Sequence, residues 1–183
     1  MLPFYTVGHS TRSLDEFVEL LRAAEVSLVA DIRTVPKSRA NPQYNQDALR
    51  ENLAAFGIGY EHIAELGGLR SKAKQVSPEL NGFWQNQSFH NYADYGLTER
   101  FAHGLDRLIA LGRTRCCAMM CSEAVWWRCH RRLVADHLLA RGERVLHLMG
   151  SDRIEPAKLT TGARVQPSGT VIYPVGDSAL AAR

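Results

Sequence analysis

Short apolar stretches alternate along the chain with segments of helical periodicity. The stretches with strand character are residues 4–7, 27–32, 59–63, 115–120 and 144–148. Apolar residues recur at helical spacing over about 14–24, 47–56, 98–111 and 126–140. Ser13 and Glu16 have the form of a capping box at the start of the first helix. This alternation predicts an α/β fold, a Rossmann-like three-layer sandwich with a mostly parallel sheet of about five strands and helices on both faces.

Two segments depart from the alternation. Residues from about 64 to 97 lose periodicity and are rich in Gly, Asn and Gln, which predicts a long loop insertion of the kind that often carries function. Near the end of the chain, residues 163–165 and 170–173 flank Pro167-Ser168-Gly169 and predict a small hairpin. A length of 183 residues favours one α/β domain over 1–183.

Composition narrows the function classes. A net charge of +3 without a dense Lys/Arg run allows a small anionic ligand and leaves nucleic-acid binding open. No apolar run reaches the ~18–20 residues of a membrane span and no secretion signal is evident, so we expect a cytoplasmic protein that does not associate with membranes. Four cysteines between positions 116 and 129 predict reduced thiols and not a disulfide framework. The pattern does not indicate an oligomeric state.

Polar and glycine residues follow the predicted strands at their carboxyl ends. In a parallel sheet these ends lie along one edge, where ligands bind. The residues are His9 and Ser10 after the first strand, Asp31 and Arg33 at the second, Gly67 and Gly68 after the third, and Cys121, Ser122 and Glu123 after the fourth. Their shared position predicts one site at this edge.

The segment from Cys121 to Arg131 carries the strongest candidate chemistry. Cys121 lies where a strand gives way to a helix, and the backbone N–H groups there favour a thiolate. Glu123 and His130 are candidates for proton transfer, and Arg131 for binding an anion. Each also has a structural interpretation, because a small apolar thiol, a helix-start carboxylate and an exposed arginine are common in any fold.

The spacing of residues in the sequence does not match several known catalytic and binding motifs. Six residues separate Cys121 from Arg128, whereas the phosphatase loop has five, and the two intervening tryptophans suit a phosphate cradle poorly. Neither a G-x-G-x-x-G dinucleotide motif nor a P-loop occurs. Cys121, Cys129 and His130 could supply zinc ligands, but their spacing matches no common finger or ribbon, so we assign no metal ligand and no cofactor from the sequence.

The chain resembles the bacterial and archaeal family called domain of unknown function 488. The resemblance spans about residues 5 to 173. The matching segments are Thr6-Val7-Gly8-His9-Ser10, Asp31-Ile32-Arg33 with Pro36 and Ser38, Asn41-Pro42, Leu66-Gly67-Gly68, Tyr92-Ala93-Asp94-Tyr95, and Met120-Cys121-Ser122-Glu123 with Cys129-His130-Arg131. Two positions depart from the family pattern, Asn91 in place of glycine and Ala157 in place of histidine. The resemblance implies a shared α/β fold and pocket and supplies no reaction.

Two functional hypotheses follow. The first is an enzyme that acts on a small anionic ligand, such as a nucleotide-like one. Its catalytic residues are Cys121, Glu123, His130 and His9, and its ligand-binding residues are Ser10, Asp31, Arg33, Gly67, Gly68, Cys129 and Arg131. The alternative is a non-catalytic module that binds a metal or senses redox state through its thiols.

Overall fold

The computed structural model describes residues 2–176. The strands in this part of the chain are β1 Phe4–Gly8, β2 Leu28–Asp31, β3 Gly59–His62, β4 Cys117–Cys121, β5 Val145–Gly150, β6 Arg153–Pro156, β7 Arg164–Val165 and β8 Val171–Ile172. The α-helices are α1 Leu14–Ala23, α2 Gln46–Ala54, α3 Gln87–Tyr95, α4 Glu99–Thr114 and α5 Arg131–Ala140.

Six strands form one sheet in the order β3-β2-β4-β1-β5-β6. Strands β1 to β5 are parallel to one another, and the edge strand β6 pairs antiparallel with β5. Strands β7 and β8 form a separate antiparallel hairpin. The predicted three-layer α/β fold with a mostly parallel sheet and a C-terminal hairpin is confirmed. The sheet has six strands where the sequence predicts about five, because the edge strand β6 is largely exposed and has no apolar run.

The two faces of the sheet bury separate apolar clusters. On one face α1 and α2 pack over Val29, Ala118 and Met120. On the other, α3, α4 and α5 pack over Cys117 and Met119. Because side chains alternate along a strand, Cys121 belongs to the face that α5 covers. None of the helices within residues 2–176 is long and apolar enough to cross a membrane.

The segment from about 64 to 97, predicted as an irregular loop, contains helix α3. Asn86 caps it, since its side-chain oxygen accepts hydrogen bonds from the backbone N–H groups of Ser88 and Phe89. Most residues of α3 are polar, and only Tyr92, Ala93 and Asp94 are buried, which hides the helical period in the sequence.

The helix predicted to begin near residue 126 begins at Arg131 in the structure. Residues Trp126–Arg128 form one 3₁₀ turn, and Cys129 follows in an extended conformation at φ −131° and ψ 148°. Helix α5 begins two residues later. The break turns Cys129 back toward the end of β4.

Strand β4 lies between β2 and β1. The chain leaves β1 and β2 toward α1 and α2, and leaves β4 toward α5 on the opposite face. Connections that leave neighbouring strands to opposite faces open a crevice beyond the carboxyl ends of the strands. This crevice contains the candidate site.

Candidate metal and ligand site

Two thiols and one imidazole converge beyond the end of β4. The Sγ atoms of Cys121 and Cys129 lie 3.1 Å apart. The Nδ1 atom of His130 lies 3.6 Å from the Cys129 sulfur and 4.0 Å from the Cys121 sulfur. The three potential ligand atoms lie within 4.8 Å of one another. Both thiols are buried and His130 is half-buried, so the group forms part of a wall with one side open.

The orientation of His130 is fixed by the residues around its ring. Its Nε2 lies 3.0 Å from the backbone carbonyl oxygen of Ile32, which only an N–H can approach as a hydrogen bond. The hydrogen is therefore on Nε2, and Nδ1 presents a lone pair to the sulfurs. A Cβ at Gly68 would lie 2.5 Å from Nδ1, so this position needs glycine. The ring edge of Tyr92 packs on His130 at 5.1 Å between centroids.

Cys129 carries the lowered thiol pKa of the site. Burial opposes its ionisation, but a hydrogen bond from the Cys121 thiol and the charge of Arg131 outweigh burial and lower the Cys129 pKa to about 6. The Arg131 backbone N–H also points at the Cys129 sulfur, at 3.5 Å, from the start of α5. The same hydrogen bond, followed by burial, raises the pKa of Cys121 to about 12. The structure thus gives the thiolate to Cys129, whereas the sequence pointed to Cys121.

Arg131 is an almost fully buried charge, with 1% of its surface exposed. Its Nη2 donates a 2.7 Å hydrogen bond to the backbone carbonyl oxygen of Glu123, while its Nε has no partner among residues 2–176. Within the same residues Arg131 forms no ion pair with a carboxylate. A buried charge needs compensation, and the Cys129 thiolate is the anion beside it.

The turn after β4 packs tightly on the end of β1. The backbone N–H of His9 donates to the Cys121 carbonyl oxygen at 2.9 Å, and that of Ser10 donates to the Ser122 carbonyl oxygen at 3.0 Å. A Cβ at Gly8 would lie 1.8 Å from the Glu123 carbonyl oxygen. Only glycine allows this approach, which holds the Cys121–Glu123 turn in place.

A buried ion pair fixes the other wall of the site. Arg33 donates from Nε and Nη2 to the two carboxylate oxygens of Asp31, at 2.9 and 2.6 Å. The Tyr60 hydroxyl donates to Asp31 at 2.6 Å, and Arg33 Nη2 also donates to the Tyr44 carbonyl oxygen at 2.7 Å. Asp31 is fully buried, and Tyr60 and Tyr44 belong to the cluster beneath α1 and α2. Asp31 therefore acts on the site through Arg33.

His9 has both ring nitrogens engaged. Nδ1 lies 2.8 Å from the Ser10 carbonyl oxygen, to which it donates, and Nε2 faces Nη1 of Arg33 at 3.4 Å. The ring stacks on Tyr44 at 4.0 Å between centroids. Burial, assisted by the Arg33 charge, lowers the His9 pKa to about 4, so the ring is neutral at pH 7. A neutral, fully bonded imidazole positions Arg33 and has no free nitrogen to exchange a proton with a ligand.

A cavity of about 480 Å³ opens over these groups. The sequence-predicted residues that line it are His9, Arg33, Gly68, Cys121, Glu123, Cys129 and His130. Four others lie behind its wall. The Ser10 backbone binds the turn after β4, and Asp31 binds Arg33. Gly67 packs against Thr34, and Arg131 donates to the Glu123 carbonyl oxygen.

The cavity has ten further lining residues, three of which (Ser38, Tyr92 and Ser122) belong to segments that carry the family resemblance. The ten are Thr34, Val35, Lys37, Ser38, Leu69, Ser88, Phe89, Tyr92, Ser122 and Arg128. Five of the ten follow β2 or β3 within seven residues, so their nearness to a strand end was the available signal. Lys37 and Arg128 are exposed at the cavity, and Glu123 is the carboxylate that lines it.

Two of the three distances between the potential ligand atoms fit a tetrahedral zinc site. Zinc binds sulfur at about 2.3 Å and nitrogen at about 2.0 Å, so tetrahedral ligands are spaced about 3.5–3.8 Å apart. The two sulfur-to-nitrogen distances, 3.6 and 4.0 Å, are near that spacing. The sulfur-to-sulfur distance of 3.1 Å is shorter and would have to increase by about 0.6 Å. Mutual repulsion between two thiolates would drive that separation.

Comparison with known proteins identifies a family but no relative. The family model described as "Domain of unknown function DUF488" matches residues 13–138, which include the whole segment from Cys121 to Arg131. None of the curated proteins and none of the solved structures matches the chain.

Proposed function

The chain belongs to the DUF488 family, whose description names no activity, and we propose from the geometry of its site that it is a metal-dependent enzyme that acts on a small anionic ligand. The observation that carries the proposal is the convergence of Cys121, Cys129 and His130 on one point of the cavity wall. Two thiols and an imidazole form a ligand set suited to zinc.

The number of ligands supports catalysis over a structural role. Structural zinc sites have four protein ligands, whereas catalytic sites have three and leave one position to water or substrate. Here three potential protein ligands line a cavity, so a metal that they held would keep one position for water or substrate. Metal-binding histidines usually donate their other ring N–H to a carbonyl or carboxylate oxygen, and His130 donates to the Ile32 carbonyl oxygen in this way.

The charges around the cavity favour an anion. Lys37 and Arg128 lie exposed at its lining. The Glu123 carboxylate is exposed and lines the same cavity, so it is the residue that would serve as a general base there, with a bound metal supplying an activated water.

Metal analysis of untagged protein tests the proposal. We expect about one equivalent of zinc in the wild type, much less in Cys129→Ser, and an unchanged amount in Cys116→Ser, whose thiol lies outside the site. We also expect Glu123→Gln to keep its zinc and lose turnover. Zinc well below one equivalent in the wild type after reconstitution, or equal zinc in wild type and Cys129→Ser, would contradict the proposal.

One observation favours a second function, thiol redox sensing. The two sulfurs lie 3.1 Å apart, about 1 Å beyond disulfide bonding distance. Hydrogen peroxide would oxidise the Cys129 thiolate to a sulfenic acid. The Cys121 thiol would then attack the sulfenic acid, which forms the disulfide and releases water. Mass spectrometry distinguishes the two functions. If the zinc-loaded protein forms the Cys121–Cys129 disulfide as readily as the zinc-free protein, sensing is favoured, whereas protection by zinc favours the enzyme.

A further inference from the structure

Positive charge is concentrated at the carboxyl edge of the sheet. The four segments that follow β1 to β4 are residues 9–13, 32–45, 63–77 and 122–130. Together they contain eight Lys or Arg and two Glu, although the whole chain has a net charge of only +3. The remainder of the chain is therefore net negative. We call these four segments the rim. Asp31 offsets the charge of only one of its basic residues, Arg33, so the rim stays strongly basic.

The rim also exposes large apolar side chains. Val35 is 57% exposed, Leu69 76% and Trp127 42%, and all three belong to the rim segments. Val35 and Leu69 line the mouth of the cavity. A basic groove interspersed with apolar and aromatic side chains is the pattern of surfaces that bind single-stranded nucleic acid.

The cavity has an aromatic side chain in its lining. Phe89 lines it, and its ring stacks on Trp84 at 4.9 Å with an interplanar angle of 16°. Trp84 in turn has the guanidinium of Arg132 over its ring at 5.0 Å. Trp84 holds Phe89 in place as a lining residue that a planar base would contact. A volume of about 480 Å³ lies in the usual range for a small-molecule site.

The basic surface extends beyond the cavity. Five of the eight basic rim residues do not line it, namely Arg12, which donates to the Gly8 carbonyl oxygen, and Arg39, Arg70, Lys72 and Lys74. Arg70 and Lys74 line a second recess of about 380 Å³ beside Tyr95, which one carboxylate, that of Asp94, also lines. Arg70 lies over the Tyr95 ring at 3.8 Å and follows Leu69 at the cavity mouth. A mononucleotide would leave these charges unused, whereas a strand with several phosphates would contact them.

We propose that the ligand is a single-stranded nucleic acid, with one nucleotide in the cavity against Phe89 and its flanking phosphates on the basic rim. The inference rests on the proposed function, since it places a nucleotide beside the Cys121, Cys129 and His130 ligand set. Binding through phosphates weakens steeply with salt, and stacking on aromatic residues is tolerant of sequence.

Fluorescence anisotropy with a labelled twelve-residue oligothymidylate tests the inference on zinc-loaded protein. We expect the combined change Lys72→Glu and Lys74→Glu to raise Kd about tenfold or more at low salt, through loss of phosphate contacts. The matched control, Lys158→Glu with Arg164→Glu, reverses two exposed charges outside the rim and should change Kd by less than about twofold. Phe89→Leu should weaken binding by about fivefold or more, with the zinc content unchanged.

Three outcomes would overturn the inference. One is no binding of the oligonucleotide at low salt by protein that retains its zinc, which leaves the proposed function intact. Another is equal affinity for thymidine monophosphate and the oligonucleotide. The third is binding of phosphatidylserine vesicles that depends on Lys72 and Lys74, without oligonucleotide binding. Oligonucleotide binding by protein that fails to take up zinc would instead contradict the proposed function alone.

Discussion

His130 donates its Nε2 hydrogen to the backbone carbonyl oxygen of Ile32 at 3.0 Å. The acceptor lies directly after β2 and the donor at the start of α5, which is 98 residues further along the chain. This hydrogen bond directs Nδ1 toward the two sulfurs. The packing of β2 against β4 therefore determines whether the imidazole and the thiols can act on one metal ion.

Gly68→Ala tests whether this orientation matters. The added Cβ would lie 2.5 Å from His130 Nδ1 and would displace the ring. We expect the affinity for zinc to fall about 10–100-fold, as when the groups that orient a histidine ligand are changed. Gly150→Ala is the control, since its Cβ would meet only Arg153 at an ordinary 3.9 Å. Wild-type zinc affinity in Gly68→Ala would show that the ring position is unimportant.

The thiol titration of the metal-free protein is a second test. The pKa of Cys129 is about 6, which lies below the value of about 9 for a free thiol, so its thiolate should form as the pH rises through about 6. The thiolate contributes stability fully above about pH 9, and this contribution is lost as the pH falls through about 6. Ultraviolet absorbance should show one thiolate with this midpoint, absent in Cys129→Ser.

Substitutions of Arg131 should change the midpoint of the Cys129 titration. Arg131→Lys should change it by less than Arg131→Met, because lysine keeps a positive charge near the Cys129 sulfur. A midpoint of about 9 in the wild type, the value of a free thiol, would contradict the assignment of the thiolate to Cys129.

The buried ion pair of Asp31 and Arg33 predicts a large effect on stability. Asp31→Asn leaves the Arg33 charge uncompensated and should lower the free energy of unfolding by about 3–5 kcal/mol. Tyr60→Phe removes one hydrogen bond to Asp31 and should cost about 1–3 kcal/mol. Asp106→Asn breaks the exposed pair with Arg141 and should cost about 0–1 kcal/mol. Urea unfolding measures all three, and an equal loss in Asp31→Asn and Asp106→Asn would refute the burial argument.

Three buried histidines predict that acid destabilises the fold. Burial lowers the pKa of His9 to about 4, of His137 to about 3 and of His147 to about 4. Between about pH 6.5 and 4 the unfolded chain binds protons that the folded chain does not. Each histidine then lowers the free energy of unfolding by up to about 1.4 kcal/mol per pH unit as the pH falls. The raised pKa of Asp136, caused by burial, opposes part of this loss.

Urea unfolding at pH 7, 6 and 5 in a Cys129→Ser background measures this slope, because the Cys129 titration gives a slope of the same sign above about pH 6. His137→Gln should reduce the slope by about one third, since it removes one of three such groups. Stability that is flat between pH 7 and 5 would contradict the neutral state of these histidines.

The sequence was sufficient for the parts of the fold with strong local signals. The capping box of Ser13 and Glu16 is present as predicted, and the parallel strands lie where the apolar stretches predicted them. The missed elements have weak signals. Helix α3 is mostly polar, and β6 is an exposed edge strand. Their formation depends on tertiary contacts that a local pattern does not contain.

For the site, the sequence predicted the edge of the sheet at which it lies, but not the face of the sheet to which each side chain belongs. Met120 and Cys121 are adjacent and both buried, so the sequence does not show which of them faces α5. Asp31 was grouped with Cys121, yet it contacts Tyr60 on the opposite face of the sheet. The approach of Cys129 to Cys121 depends on the extended residue before α5, which a helical pattern over 126–140 conceals.

Cobalt substitution tests the central claim most directly. Metal-free protein titrated with Co²⁺ should develop the visible bands of a tetrahedral ion and thiolate-to-cobalt charge-transfer absorption, both saturating at one equivalent. Cys129→Ser should weaken the charge-transfer band, and His130→Ala should change the visible bands, while Cys116→Ser leaves the spectrum unaltered. A wild-type spectrum of six-coordinate aqueous Co²⁺, or an identical spectrum in Cys129→Ser, would contradict a metal site formed by Cys121, Cys129 and His130.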